Sequence, residues 1–151
     1  MAQQAVQDPN YEQRVRDSFT RQQFMTTLGA TLGRVAPGEV LIAVPFSTPL
    51  TQQHGFLHAG VTAAVVDSAC GYAALTLMPA DAAVLSVEFK VNLLAPGKGD
   101  GVVARGRVLR AGRTLTTCAG DVFAVEGGEE RLVLTMLATM MAVRGRAGVA
   151  D

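Results

Sequence analysis

The spacing of apolar residues changes character along the chain, and each change marks an element. Over about residues 11–28, Val15, Phe19, Met25 and Leu28 fall near one face of a helix, and Gly29 is a natural stop. Residues 38–46 switch to a period of two: Val40, Ile42, Val44 and Phe46 alternate with Glu39, Leu41, Ala43 and Pro45, which predicts a short strand. Pro49, Gly55 and several polar side chains make 47–57 a loop leading into a helix. From His58 to about Met78 the run H-A-G-V-T-A-A-V-V-D-S-A-C-G-Y-A-A-L-T-L-M has no strand period and is apolar on every side. A helix of that kind is a buried helix. Its Ala and Gly content adds that its surroundings come very close, as they would if one sheet curled around it. Pro79 is expected to end it.

Four strand-like runs follow. Residues 84–94 alternate, with Val87, Phe89, Val91 and Leu93 on one face and Ser86, Glu88, Lys90 and Asn92 on the other. Pro96-Gly97 turns the chain into 101–110. Ala111-Gly112-Arg113 turns it into 114–125, and Gly127-Gly128 turns it into 131–143. The order is helix, strand, long buried helix, then four strands expected to form a meander. This predicts an α+β class with a curved antiparallel sheet wrapped around a long central helix. A length of 151 residues suits one domain, expected over 11–143, with a loose segment at 1–10 and a frayed tail at 144–151. One sheet over one helix leaves edges and a face exposed, and dimerisation is the natural remedy.

Composition narrows the function classes. Lys+Arg and Asp+Glu are 13 each, so the basic surplus of a nucleic-acid binder is missing. Residues 1–10 lack the basic and apolar regions of a signal peptide, and no apolar run is long enough to span a membrane. Cys70 and Cys118 read as reduced and buried, which suits a cytoplasmic protein.

Several chemistries can be weighed on residues alone. His54 and His58 lie four apart but have no third ligand beyond Asp67, so no metal site is expected. Neither cysteine has a neighbouring His, and burial raises a thiol pKa, so neither reads as a nucleophile. Gly97-Lys98-Gly99-Asp100-Gly101 sits in a strand–turn–strand context and is no phosphate loop. Lys98, Arg105, Arg107, Arg110 and Arg113 are a solvated face, or a place for the phosphates of a ligand.

Asp67 is the residue out of place. It lies in V-T-A-A-V-V-D-S-A-C-G, the most apolar stretch of the chain. A carboxylate there is desolvated, paired with a neighbouring hydroxyl or amide, or facing a cavity. In a cleft, such a group suits base or nucleophile work. The helix start, Gly55-Phe56-Leu57-His58-Ala59-Gly60, offers free backbone N–H groups at a positive dipole end, as an oxyanion hole requires. Ala59 and Asp67 are eight residues apart, about 12 Å along one helix. Acting on one carbonyl, they must come from two subunits.

The residues His54 to Ala69, H-G-F-L-H-A-G-V-T-A-A-V-V-D-S-A, resemble the PaaI-like branch of hotdog-fold thioesterases, whose pattern is a polar residue, G-x-x-H-G-G, and an Asp nine residues after the His. L-S-V-E-F-K-V-N-L-L-A-P (85–96) and V-L-R-A-G-R-T-L (108–115) are similar to the family's strand with closing Pro and its basic hairpin. The resemblance implies a hotdog fold and hydrolysis of an aryl- or medium-chain acyl-CoA, with no cofactor beyond the coenzyme A of the substrate. It implies Asp67 as general base or nucleophile, the Ala59 amide as oxyanion donor and His58 as the residue positioning that loop. Ser86 would orient the attacking water, and Gln52, often Asn in the family, would contact the thioester region from the other subunit. His54, Gly55, Gly60, Lys98, Arg110 and Arg113 are the implied substrate and coenzyme A contacts, and a homodimer, further paired into a homotetramer, is the implied assembly. The family's H-G-G is H-A-G here, which adds a methyl at residue 59 that helical dihedrals tolerate. Two alternatives are a non-catalytic acyl-CoA binder or sensor on the same fold and a hotdog dehydratase or hydratase pairing His54 with Asp67. The dehydratase signature, Pro-Gly-Val closely followed by Glu, is not present.

Overall fold

The structure, a computed structural model, describes residues 5–151. Two short helices, α1 (Tyr11–Arg21) and α2 (Gln23–Thr27), open the chain. They replace the single helix expected over 11–28, because Gln22 adopts an extended ψ of 92° between them. Gly29, at φ 65°, ends the pair as a left-handed glycine should. A strand not anticipated from the sequence follows, β1 (Thr31–Ala36), which forms a hairpin with β2 (Glu39–Pro45). Only Val35 of β1 is buried, so its side chains carry too little alternation to signal a strand.

The central helix α3 (Ala59–Leu75) then starts at an N-cap of His58. It ends about one turn before Pro79, at Thr76, whose hydroxyl donates to the Ala73 carbonyl and accepts from the Gly38 amide. The Arg14 guanidinium of α1 donates to the carbonyls of Leu75, Met78 and Pro79 and pairs with the buried Asp8 at 3.2 Å. A cation at a helix C-terminus satisfies orphan carbonyls and favours the dipole.

The remaining strands are β3 (Ala82–Leu93), β4 (Gly101–Ala111), β5 (Leu115–Glu126) and β6 (Glu129–Arg144). They build one six-stranded antiparallel sheet in the order β1-β2-β4-β5-β6-β3. The expected four-strand meander therefore holds for β4–β5–β6 only. β3 crosses over to pair with β6, and Pro96-Gly97 belongs to that crossover instead of a hairpin. The crossover leaves β3 as a free edge.

The sheet wraps α3 closely, as its composition requires. Val65, Val66, Ala69, Cys70, Ala73 and Ala74 are fully buried against it. Gly106 and Gly120 face each other across β4 and β5 where the helix passes. A Cβ on Gly106 would collide with the backbone of Ala69 and Cys70, and one on Gly120 with Val66 and Cys70. Both cysteines are free and buried, as expected, and desolvation pushes the Cys118 thiol up to about 12. No helix among the described residues is long and apolar enough to cross a membrane.

Candidate active site

Asp67 sits near the middle of α3, half-buried, on the side of the helix that the sheet leaves uncovered toward β3. Ser86 Oγ donates a 2.7 Å hydrogen bond to its Oδ1. Desolvation raises the Asp67 pKa above the ordinary carboxylate value, and the Ser86 bond partly opposes that rise. Oδ2 has no partner among the described residues, which leaves it available to a water or a substrate. The alternation of β3 would put Ser86 on one face with Glu88 and Lys90. A bulge between Ser86 and Glu88 breaks that register, so Ser86 turns toward α3 while Glu88 turns away to accept from Thr139. A bulge breaks the two-residue period, so the side chains before it take the faces that unbroken alternation would assign to their neighbours.

The start of α3 forms the second half. His58 Nδ1 accepts a 2.8 Å bond from the Gly60 amide, so the other ring nitrogen, Nε2, carries the proton. The His58 amide donates to Leu50 O and the Val61 amide to His58 O, while the Ala59 N–H has no partner among the described residues. Ala59 is half-buried and its amide lies at the positive end of the helix, the arrangement an oxyanion donor needs. The preceding loop is closed by its own polar groups. Gln52 O accepts from the Gly55 amide, the Gln52 amide donates to Phe56 O, and Gln52 Oε1 accepts from the His54 amide. Gly55, at φ 82°, turns the loop.

These halves face different clefts. One, of about 300 Å³, is lined by Asp67, Ser86, Ser68, Gly71, Tyr72 and Gln22, among others. The other, of about 630 Å³, is lined by Gln52, His58, Ala59, Phe56, Leu94 and Pro96, among others. Asp67 and Ser86 are brought together; Gln52, His54, His58 and Ala59 are brought together; within one chain the two groups are not. His54 therefore does not meet Asp67 in the chain, and the two histidines, one in the loop and one capping the helix, share no helical face. Among the described residues no group of three His, Cys, Asp or Glu side chains is arranged to hold a metal.

The basic residues also separate. Arg110 and Arg113 lie at the β4–β5 hairpin, whereas Lys98 precedes β4 at its other end, roughly 30 Å away along the strand. Arg105 pairs with Glu130 at 2.7 Å and stacks on Phe123, and Arg107 pairs with Asp121 at 2.8 Å. What the sequence did not reveal is the wall of the Asp67 cleft: Ser18, Arg21 and Gln22 from the end of α1, and Asp151 from the far end of the chain. The polar residues near Gln22 were the only signal, and they read equally as helix surface.

A curved six-stranded antiparallel sheet around one buried helix, with a carboxylate in that helix, is the hotdog fold. The chain belongs to the thioesterase superfamily, whose sequence pattern matches residues 54–130. A thioesterase family protein from Silicibacter pomeroyi is 53% identical, and the likeness covers 89% of this chain and 99% of that one with a TM-score of 0.88. The E. coli PaaI protein from the phenylacetic acid degradation operon shares the fold at 16% identity and a TM-score of 0.81, over 97% of this chain and 100% of that one. Human acyl-coenzyme A thioesterase 13 is 32% identical over 93 residues, 61% of this chain and 66% of that protein. A putative esterase of Halobacterium salinarum is 29% identical over 96 residues, 60% of this chain and 63% of that protein. The chain thus spans somewhat less than two thirds of these curated relatives.

Proposed function

We propose that the protein hydrolyses an aryl- or medium-chain acyl-CoA to the free acid and coenzyme A, at a site completed by two subunits. The observation that carries this reading is a desolvated carboxylate, Asp67, held by Ser86 and with one oxygen free. The Ala59 amide, about 12 Å away along α3, polarises the thioester carbonyl from the partner chain. Water adds to the carbonyl carbon, either activated by Asp67 as general base or in a second step after Asp67 has attacked as nucleophile. On the general-base route the C–S bond breaks as the water adduct collapses. On the nucleophile route it breaks as Asp67 attacks, leaving an Asp67–acyl anhydride that the water then cleaves. On both, the acid leaves with the water oxygen and the coenzyme A sulfur takes up the proton. His58, through its Nε2–H, and Gln52 hold the thioester from the Ala59 side.

The subunit contact fits the free edge of β3. Val87, Phe89 and Leu93 are each about half exposed there, a long apolar edge that a single chain leaves uncovered. An antiparallel copy of β3 covers it and sets the Asp67 half of one chain beside the Ala59 half of the other. Dimers pair further into a homotetramer. Arg110 and Arg113 are exposed and form no ion pair among the described residues, and they meet the coenzyme A phosphates, with Lys98 serving from another subunit. Two buried free thiols suit a reducing compartment such as the cytoplasm.

A thiol-release assay over short, medium, long and aryl acyl-CoAs tests the reading. Turnover of at least one, lost in Asp67→Ala, is expected. A wild-type protein inactive on every substrate, or Asp67→Ala with full activity, overturns it.

A further inference from the structure

The cleft beside Asp67 continues past the residues that would do the chemistry. From Asp67 and Ser86 it follows α3 for one turn to Gly71 and Tyr72, about 6 Å at 1.5 Å per residue. Gly71, four residues after Asp67, lies on the same helical face. It is in the interior of a buried helix, yet a Cβ added there meets no atom within 4 Å. This separates it from Gly106 and Gly120, which the close approach of helix and sheet requires. An interior glycine destabilises a helix relative to alanine. At Gly71 no packing partner accounts for that cost; what the missing side chain leaves is open space on the floor of the cleft.

The far end of the cleft is closed by one side chain. Asp151 Oδ1 accepts a 2.7 Å bond from the Ser18 hydroxyl of α1, and its Oδ2 accepts a 2.7 Å bond from the Val84 amide of β3. The carboxylate thereby spans the two elements that wall the cleft. One flank is set by a relay in which Tyr72 donates to Gln22 Oε1 at 3.1 Å and Gln22 Nε2 donates to Ser68 Oγ at 3.2 Å. Beyond Gly71 the lining is therefore mostly polar, with only Val84, Ala150 and the Tyr72 ring as apolar surface, and gives a long alkyl chain little apolar continuation.

We propose that this slot receives the acyl group and that Gly71 and Asp151 set the size it admits. Gly71 leaves the room one helical turn from Asp67, and the Asp151 latch between Ser18 and Val84 ends it. The acyl class is the compact end of the aryl and medium-chain range: a straight chain of hexanoyl size or a single aryl ring, with decanoyl and longer groups excluded. The inference rests on the reading of Asp67 as the reacting carboxylate.

The experiment measures kcat/KM of the full chain on acetyl-, butyryl-, hexanoyl-, decanoyl-, palmitoyl- and phenylacetyl-CoA, for the wild type, Gly71→Leu and Asp151→Ala. The wild type should fall off at decanoyl-CoA. Gly71→Leu should lose hexanoyl- and phenylacetyl-CoA by at least ~tenfold relative to acetyl-CoA, since that is the scale on which a few methylenes discriminate in a filled pocket. Asp151→Ala should shift the preference the other way, with decanoyl-CoA gaining about tenfold on hexanoyl-CoA. Should Gly71→Leu fail to fold, Asp151→Ala, at the rim, carries the same comparison. An active wild type whose substrate ratios persist in the variants, or variants that lose all substrates in equal proportion, overturns this inference and leaves the thioesterase reading standing. A wild type inactive on the whole series overturns both.

Discussion

Ser86 Oγ and Asp67 Oδ1, 2.7 Å apart, join the edge strand of the sheet to its central helix. The bond fixes one oxygen of a carboxylate that burial has made more basic, and it leaves the other to the substrate. Two opposed influences on the same group are thereby set by two residues 19 positions apart.

Removing the serine should expose that balance. In Ser86→Ala the bond that lowers the Asp67 pKa is gone, so the pKa rises further above the ordinary carboxylate value. Because the deprotonated form acts, the acid limb of the kcat/KM profile should move to higher pH, with the greatest loss on the acid side. An unshifted limb with a uniform drop would leave Ser86 a role in packing alone.

Asp67→Asn should trade activity for stability. Loss of the base or nucleophile should cost roughly 10²–10⁴ in rate. The folded state holds the Asp67 proton to higher pH than the unfolded chain does. Stability is therefore lost as pH rises from the unfolded value, about 3.9, to the raised folded one, and stays lost above it. Asn keeps the shape and the Ser86 contact without that loss. Its melting temperature should match the wild type near pH 3 (about one unit below the unfolded carboxylate value) and exceed it at neutral pH; equal melting at both would refute a desolvated Asp67.

A shared site makes inactive subunits rescue one another. Co-expression of Asp67→Asn with His58→Ala chains should yield mixed dimers in which one site has an intact Asp67 and an intact His58 from opposite chains. Random pairing gives roughly a quarter of the wild-type activity from two nearly inactive parents. No recovery in purified mixed dimers would place the whole site within one chain.

The close approach of sheet to helix should tolerate no side chain. Gly106→Val drives a branched side chain into the Ala69–Cys70 backbone, and neither element has room to retreat. A loss of at least ~3 kcal/mol, from the upper end of overpacking costs, is expected in urea unfolding. Gly71→Ala, facing open space, should instead hold or raise stability.

Much of this was legible in the sequence. A run apolar on all sides and rich in Ala and Gly specifies a buried helix under a close sheet, because only small side chains let two backbones approach. A carboxylate in that run is conspicuous because burial without a partner is costly. The alternation of residues 38–46 and 84–94, and the turn residues that bound the runs within 101–143, marked the strands. Tertiary structure alone decided the rest. That β3 pairs with β6 depends on a crossover whose length the strands do not encode, so the expected meander failed. The break at Gln22 and the strand β1 arise from packing that local periodicity barely marks. Above all, Ser86 reaches Asp67 only because a bulge reverses the face that alternation assigned to it. A period of two carries no sign of where one residue will be skipped. The carboxylate could be found from its neighbours in sequence; what holds it, and what walls its cleft, comes from residues that only folding brings within hydrogen-bond distance.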